Sequence, residues 1–507
     1  MYAQLWLGAW KSSTTLARCG IRHNNRVMRR GGWWQTLLIG AVAALLRLPN
    51  LGRPHAVVFD ETYYAKDAWA LLNFGYEVDS VKDANDLLLA GNTDIFKDSA
   101  SYVVHPPFGK WVIAAGEWAF GMNPFGWRIA VALLGVWAVV LVHRTARRLF
   151  RHELTAFIAG LLMAVDGMGI VMSRTALLDQ TLMFLTLGAF AAAVADRDRT
   201  RARLTQGSGL GIRWHLLLAA VLLGLALGTK WSAAWFVVAT GLLFVFFTAR
   251  VRISLGQPRA WLRAIWLDTL PYLPLVLGIL AVVYLATWGG WFLTSGGYDR
   301  DWAATHEAET WLPAALRSLM EYHRSAWEFH VNLSSPHSYS ANPWTWPLQL
   351  RPTSFYYEGF SKGMGGCEEA NCAAEVIALG NPLIWWAGTA ALLHQAWQAV
   401  VRRETRAVAI VLMFLAGWAP WLMYQQRTIF SFYSIVLLPF IVFALAASLG
   451  HLLGPSTRAP DRHRRAALVF GFLVLVLLLS AFFYPLWTGE TISYTFWKLH
   501  MWLPSWI

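Results

Sequence analysis

Aspartate and glutamate make up 29 of 507 residues, yet two of them, Asp60 and Glu61, stand side by side in the aromatic stretch VVFDETYYAKDAW, residues 57–69. A carboxylate in such a setting can take a proton from a hydroxyl nucleophile or hold a cation. Cations recur in similar surroundings. Arg128 lies in FGWRIAVALLG, Arg174 shares SRTALLDQT with Asp179, Lys230 lies in GTKWSAAW, and Arg427 opens RTIFSFYSIVLLPF, which also holds Tyr433. Arginine binds phosphate through paired N–H groups and lysine binds it as a point charge. His105 begins HPPFGKW, and His337 lies in SSPHSYSANPWTWPL. The set points to glycosyl transfer from a lipid-phosphate sugar to an acceptor hydroxyl. The departing phosphate needs charge stabilisation more than a general acid, so no second carboxylate across the sugar is required. Adjacent residues cannot readily flank a sugar as the separated carboxyls of a glycosidase do. Asp60 and Glu61 therefore divide labour. One is the base, the other orients the acceptor or holds a cation, and which does which stays open.

The elements that position these residues are membrane helices. The chain is 57% hydrophobic and 14% charged, with 30 Trp, whereas an ordinary soluble domain is roughly 45–50% apolar and about 25% charged. Apolar runs of bilayer-spanning length lie near 33–48, 127–147, 154–172, 177–195, 214–229, 232–249, 270–293, 381–400, 407–424, 430–450 and 466–487. That makes an all-α polytopic membrane protein with about eleven transmembrane helices. The net charge of +13 reflects arginines in short loops, a topology signal, and implies no nucleic-acid partner. The opening MYAQLWLGAWKSSTTLARCG does not read as a cleavable signal peptide.

The run GKWVIAAGEWAFGM, 109–122, decides the topology. If it spans, the basic clusters fall on opposite sides. If it lies in the interface, as Lys110, Glu117 and its two Trp allow, every cluster falls on one side: the N-terminal tail with Arg18, Arg22, Arg26, Arg29 and Arg30, then RTARRLFR, DRDRTRARL, ARVRISLGQPRAWLR, VRRETR and STRAPDRHRR. The positive-inside rule makes that side cytoplasmic. The expected organisation is a basic cytoplasmic tail over 1–32, a transmembrane catalytic domain over 33–487 and an extracytoplasmic C-terminal tail over 488–507. Two large extracytoplasmic loops with interfacial helices, 50–125 and 294–380, belong to the catalytic domain. The candidate residues then gather on the extracytoplasmic face.

Each has a plainer reading when taken singly. Arg128 and Lys230 can be snorkelling anchors, Asp179 a helix-start charge or a partner of Arg174, His105 a turn former, His337 a loop histidine, and the tryptophans an interfacial belt. Convergence on one face carries the functional reading, because independent anchors would spread over both. Cys367 and Cys372 share GCEEANC. On an extracytoplasmic loop they read as a disulfide pair, with a metal site disfavoured because no His or further Cys lies close by. No metal-ligand cluster and no cofactor is expected, with a loosely held divalent cation left open.

The sequence resembles the protein O-mannosyltransferases, members of the membrane-embedded C-type glycosyltransferase (GT-C) class. FDETYYAKDAW, HPPFGKW, WRIAVALLG, SRTALLDQTLMF, GTKWSAAW, SSPHSYSANPWTWPL, LGNPLIWW and RTIFSFYSIVLLPF carry the resemblance, in order, over about residues 33–487. It implies a polyprenyl- or dolichyl-phosphate mannose donor, Ser/Thr acceptors on unfolded secretory polypeptides and inversion at the sugar carbon. By position it makes Asp60 the general base and Glu61 its partner in acceptor binding. Arg128, Lys230, Arg427 and Tyr433 become donor-phosphate contacts, and His105, Arg174, Asp179 and His337 organise the site or bind the acceptor. The extracytoplasmic loop has no room for the β-trefoil domain of eukaryotic members, which favours a bacterial type in the cell membrane, supplied with acceptors by the secretion translocon.

Two other functions compete. A GT-C enzyme moving arabinose or aminoarabinose onto a glycolipid or wall polymer would use the same cations, but the Asp-Glu pair, HPPFGKW and NPWTWPL favour a protein acceptor. A transporter places ionisable groups near the bilayer midplane, often within repeats. Here they gather at one face, and no repeat is visible. A scaffold or receptor without chemistry leaves the set unexplained.

Overall fold

The computed structural model describes residues 32–306, 311–454 and 461–507. The tail 1–32 therefore lies almost wholly outside the described residues. Among those described, seven helices are long and apolar enough to cross a membrane, or eight if the bent pair Glu153–Val165 and Gly167–Arg174 is one span. Trp33–Arg47 and Trp214–Leu227 are shorter apolar helices, and Pro382–Val400 occupies another of the expected positions. The 109–122 run forms the 13-residue helix Phe108–Phe120, about 20 Å long.

Local chemistry explains where helices start. Asn123 accepts from Phe125 N and Gly126 N with Pro124 in the first turn, and Asn381 accepts from Leu383 N and Ile384 N with Pro382 beside it. Both pair an N-cap with a proline that has no N–H to leave unpaired. The expected span over 154–172 bends by 53° at Asp166. A bend frees backbone carbonyls, which in an apolar medium must find donors. Arg47 supplies Ala164 O (2.8 Å) and Met163 O (3.2 Å), and the Ser480 hydroxyl supplies Val165 O (2.7 Å). Gly167 sits at the same corner because a Cβ there would fall 2.1 Å from the Trp487 ring.

The bundle turns its apolar faces outward and its charges inward. In the Ala260–Thr287 segment only 6% of the most apolar window is buried, while Arg213 with Asp196, and Arg252 with Asp268, are buried ion pairs. This is the arrangement of a multi-pass membrane protein.

The loops add structure that a purely helical reading does not anticipate. Strands β1 (Val78–Ser80) and β2 (Phe96–Ala100) pair antiparallel, and β3 (Thr353–Ser361), β4 (Asn371–Ala378) and β5 (Thr491–Ser493) form a three-stranded sheet. Strand β5 pairs Cys372 with Ser493 and Ala374 with Thr491, so the last residues of the chain are knitted to the large loop. That loop also holds the first. Tyr322 OH donates to Val103 O (2.9 Å) and accepts from Val103 N (3.1 Å). Cys367 and Cys372 are joined by a disulfide beside the β3–β4 turn. The two loops and the C-terminal residues thus form one cap over one end of the bundle.

Candidate active site

Within this cap the Asp-Glu pair resolves into two different residues. Asp60 is the N-cap residue of helix Glu61–Phe74 but makes no side-chain capping bond. Phe59, just before it, has φ 49°, a left-handed conformation costly for a non-glycine residue. Its ring is held against Phe355 (centroids 4.9 Å apart) and edge-on to Phe430 and Phe432. Glu61 closes the turn beneath. Its carboxylate accepts from Val58 N (2.9 Å) and Ala176 N (3.0 Å), and Arg128 donates to both of its oxygens at 2.8 Å.

Arg128 spends the rest of its guanidinium on the same segment, donating to Leu51 O (3.3 Å), Pro54 O (3.0 Å) and Ala56 O (2.9 Å). Both side chains are fully buried. A guanidinium has five N–H donors, so none of Arg128's remains for a phosphate. In this arrangement Arg128, expected at the donor phosphate, and Glu61, expected at the acceptor, are both engaged by the protein itself. Arg174 does related work one turn away, donating to Arg47 O and Pro49 O (both 2.8 Å) and Asn50 O (2.9 Å). Arg174, Arg128 and Glu61 together clamp residues 47–61 and so set the position of Asp60. Arg174 organises the site from beneath and does not line it.

A cavity opens beside this clamp. It is lined by His105, Asp179, Lys230, His330, Arg427 and Tyr433, with Trp231, Trp235 and Phe236 among its apolar walls. Lys230 Nζ lies 2.7 Å from Asp179 Oδ2 and 4.8 Å from the centre of the Tyr433 ring. Among the described residues, Arg427 makes one side-chain hydrogen bond, donated to His330 Nδ1 (3.1 Å), and its buried Nε has no partner. His330 then carries its proton on Nε2, which donates to Val104 O (2.9 Å). His105 stacks on His330 with centroids 5.1 Å apart.

Burial lowers both histidines, His105 well below the usual range and His330 to about 4, with Lys230 and Arg427 nearby acting in the same direction. Both are neutral at physiological pH. Asp60 is half-buried and, among the described residues, its carboxylate has no hydrogen-bond partner. Burial raises it to about 6, with Lys230 opposing the rise and Asp179 adding to it. The cavity therefore presents two cations against one carboxylate, with an unpartnered acid alongside.

His337 stands apart on the exposed surface of the cap. Its Nδ1 accepts from Tyr339 N (3.1 Å), and its ring meets Phe430 and Phe59 edge-on at 4.9 and 6.4 Å. It lies on the Asp60 side and outside the cavity. Sequence reasoning missed His330. The available signal was His323 and His330 seven residues apart on one helix, Ala314–Asn332, a spacing that puts both on one face. Among the described residues, no group of three or more His, Cys, Asp or Glu side chains is placed to hold a metal ion.

Comparison with known proteins bears on the whole chain. Residues 37–289 match the family described as dolichyl-phosphate-mannose-protein mannosyltransferase, and residues 315–506 match the C-terminal four-transmembrane region of protein O-mannosyltransferase. The polyprenol-phosphate-mannose–protein mannosyltransferase of Mycolicibacterium smegmatis is 37% identical, over 94% of this chain and 93% of the relative. That of Corynebacterium glutamicum is 31% identical over 92% of each. Among solved structures, the Saccharomyces cerevisiae protein O-mannosyltransferase Pmt1-Pmt2 complex bound to the sugar donor superposes with a TM-score of 0.72. It shares 16% identity and covers 96% of this chain and 94% of that one, a likeness of fold.

Proposed function

The chain belongs to the protein O-mannosyltransferase family, with the GT-C fold, and on that premise we propose that it transfers mannose from a polyprenyl-phosphate mannose to Ser/Thr hydroxyls of polypeptides. The observation that carries the mechanism is the Lys230–Asp179–Arg427 cavity with the unpartnered Asp60 carboxylate beside it. The donor is a phosphodiester with one negative charge, matching two cations against one carboxylate. Its isoprenoid chain follows the apolar wall between helices Ala233–Ser254 and Thr405–Trp418, where Trp235, Phe236 and Ala416 line the cavity.

In the transfer, the acceptor oxygen bonds to the sugar's anomeric carbon while the bond from that carbon to the phosphate oxygen breaks. The electron pair leaves on the phosphate, whose charge grows from one to two. Lys230 and Arg427 stabilise that growing charge. Asp60 takes the acceptor's proton, and attack from the face away from the phosphate inverts the anomeric carbon. Asp179 holds Lys230 in place, and neutral His330 holds Arg427. Tyr433 offers its ring to the Lys230 ammonium. Phe59, His337 and Phe430 form the wall along which the acceptor reaches Asp60.

The full-length likeness to enzymes named for mannose and protein supports this sugar and acceptor over arabinose and a glycolipid. We place 33–487 as the catalytic domain, with eleven spans, both large loops extracytoplasmic and 488–507 as an outer tail tied in by β5. The disulfide in the cap supports an oxidising compartment on that side. The setting is the cell membrane, with the secretion translocon delivering unfolded acceptors, and no resident cofactor. Membranes containing the protein, given labelled polyprenyl-phosphate mannose and a Ser/Thr-rich peptide, should label the peptide. Labelled lipid consumed with the peptide left unlabelled would sink the reading.

A further inference from the structure

A second cavity lies at the opposite end of the same two helices. Helix Thr405–Trp418 carries Thr405 and Arg406 on this cavity and Ala416 and Gly417 on the first, a separation of roughly 15–20 Å at about 1.5 Å per residue. Helix Ala233–Ser254 likewise runs from Trp235 at the first to Arg250 at the second. This cavity is lined by Arg250, Arg402, Arg403 and Arg406, with Glu404 and His451.

Four guanidiniums face one carboxylate, and that carboxylate is taken by the Arg406–Glu404 ion pair. Arg250 donates only to neutral oxygens, Thr405 Oγ1 (3.1 Å) and Arg403 O (3.5 Å), while Arg402 stacks 4.9 Å over the Trp397 ring. Among the described residues, Arg403 has no side-chain partner. Residues 1–31 and 455–460 contain no Asp or Glu. Arg403 also holds φ 51°, a left-handed turn that an L side chain rarely adopts. Topology signalling requires arginines on this side, but does not require Arg250 of helix Ala233–Ser254 to meet Arg402, Arg403 and Arg406 of another segment around one cavity.

The rim shows where an occupant comes from. Leu393, Trp397 and Val401 follow one another at four-residue spacing, and are 71, 45 and 62% exposed. They make an apolar stripe on one helix face that leads to the guanidiniums, suited to an acyl chain below a phosphate. We propose that the Arg250–Arg402–Arg403–Arg406 cavity binds a phosphate-bearing anion, the headgroup of an anionic phospholipid whose chains lie along the Leu393–Trp397–Val401 stripe. The site is independent of the sugar transfer, and it contacts the far ends of two helices that line the donor cavity.

The test is native mass spectrometry of the full chain in detergent, titrated with cardiolipin, with phosphatidylethanolamine as the zwitterionic reference and inorganic pyrophosphate as the soluble arm. Wild type should retain cardiolipin at least tenfold more tightly than phosphatidylethanolamine. Arg250→Gln/Arg403→Gln should erase that preference. Arg250→Lys/Arg403→Lys, which keeps the charge and hence the topology signal, should fall between, because a point charge replaces a planar fork. Trp397→Ala should weaken cardiolipin and leave pyrophosphate unchanged. Undiminished cardiolipin preference in the Gln pair overturns the site. Pyrophosphate binding that depends on Arg403, with no cardiolipin preference, upholds the phosphate site and overturns the lipid source.

Discussion

Arg128, in the first turns of helix Pro124–Phe150, and Arg427, in the loop before Ser431, both sit beside aromatic residues, yet they do opposite work. Arg128 is sealed, with every guanidinium N–H committed to Glu61 or to backbone carbonyls of residues 51–56. Arg427 lines an open cavity with one side-chain hydrogen bond among the described residues, to a neutral histidine, and an idle Nε. The same contrast divides the acidic pair, since Glu61 is saturated and Asp60 is unpartnered. A buried charge with all its partners supplied by the protein fixes geometry. One left short of partners has capacity for a substrate. Support and chemistry are therefore distinguished by unspent bonding that faces a cavity, since Arg174 also has a buried Nε without a partner but does not line the cavity.

The sharpest way to break that division is to mutate the two acids separately. Asp60→Asn keeps the shape of the turn and removes the base, so turnover should fall by roughly 10²–10⁴-fold with donor affinity retained. The check is peptide mannosylation alongside direct donor-binding measurements. Near-normal turnover in Asp60→Asn would move the base elsewhere. Arg128→Ala attacks the other side of the comparison. It leaves the Glu61 carboxylate buried and unpaired, a change that costs about 3–5 kcal/mol in buried pairs. The expected readout is a lowered unfolding temperature and poor yield, with donor affinity of the folded fraction close to wild type. Weakened donor binding at unchanged stability would restore Arg128 to the phosphate.

Much of this arrangement could be read in the chain beforehand, and the rest had physical reasons to stay hidden. Apolar runs mark the membrane helices because they answer to the bilayer directly. FDE, HPPFGKW and GTKW stand out as a candidate site because ionisable groups in apolar surroundings need a reason. The split between Arg128 and Arg427 was not readable, since WRIA and QRTIF look alike until tertiary contacts show where the carbonyls of residues 51–56 go. His330 was hidden for another reason: it acts through Arg427, almost a hundred residues away. The bend at Asp166 left a local trace in VDGMG, an acid and two glycines inside an apolar run. The short strands β1, β2 and β5 left none, because three to five residues carry little periodicity.

The unspent cations should show in the donor step. Lys230→Ala and Arg427→Ala each remove a proposed donor to the leaving phosphate, and loss of one such group costs roughly 10²–10³-fold, here in kcat/KM. His330→Ala should cause a smaller loss of the same kind, since Arg427 survives but is no longer held. His330→Gln, which can still offer an acceptor to Arg427, should recover part of it. Variants with unchanged kcat/KM and lowered thermal stability would place these residues with Arg128, and the comparison would collapse.

The smallest effect expected is also the most specific. As the proposed base, Asp60 acts only when ionised, and burial raises it to about 6. The rate should therefore be flat above about pH 7 and fall roughly tenfold per unit well below 6. A limb near 6 would ordinarily be assigned to a histidine, but His105 and His330 are both held below their usual range, His330 at about 4, and a neutral histidine there loses nothing as the pH falls towards 6. His105→Gln should accordingly leave the limb where it is. Lys230 lowers Asp60, so Lys230→Ala should move the limb to higher pH while reducing the plateau. Asp179 raises Asp60, so Asp179→Asn should move it lower. Opposite shifts from these two neighbours would identify the titrating group as Asp60 itself, whereas a limb abolished by His105→Gln would hand the role of base to the imidazole.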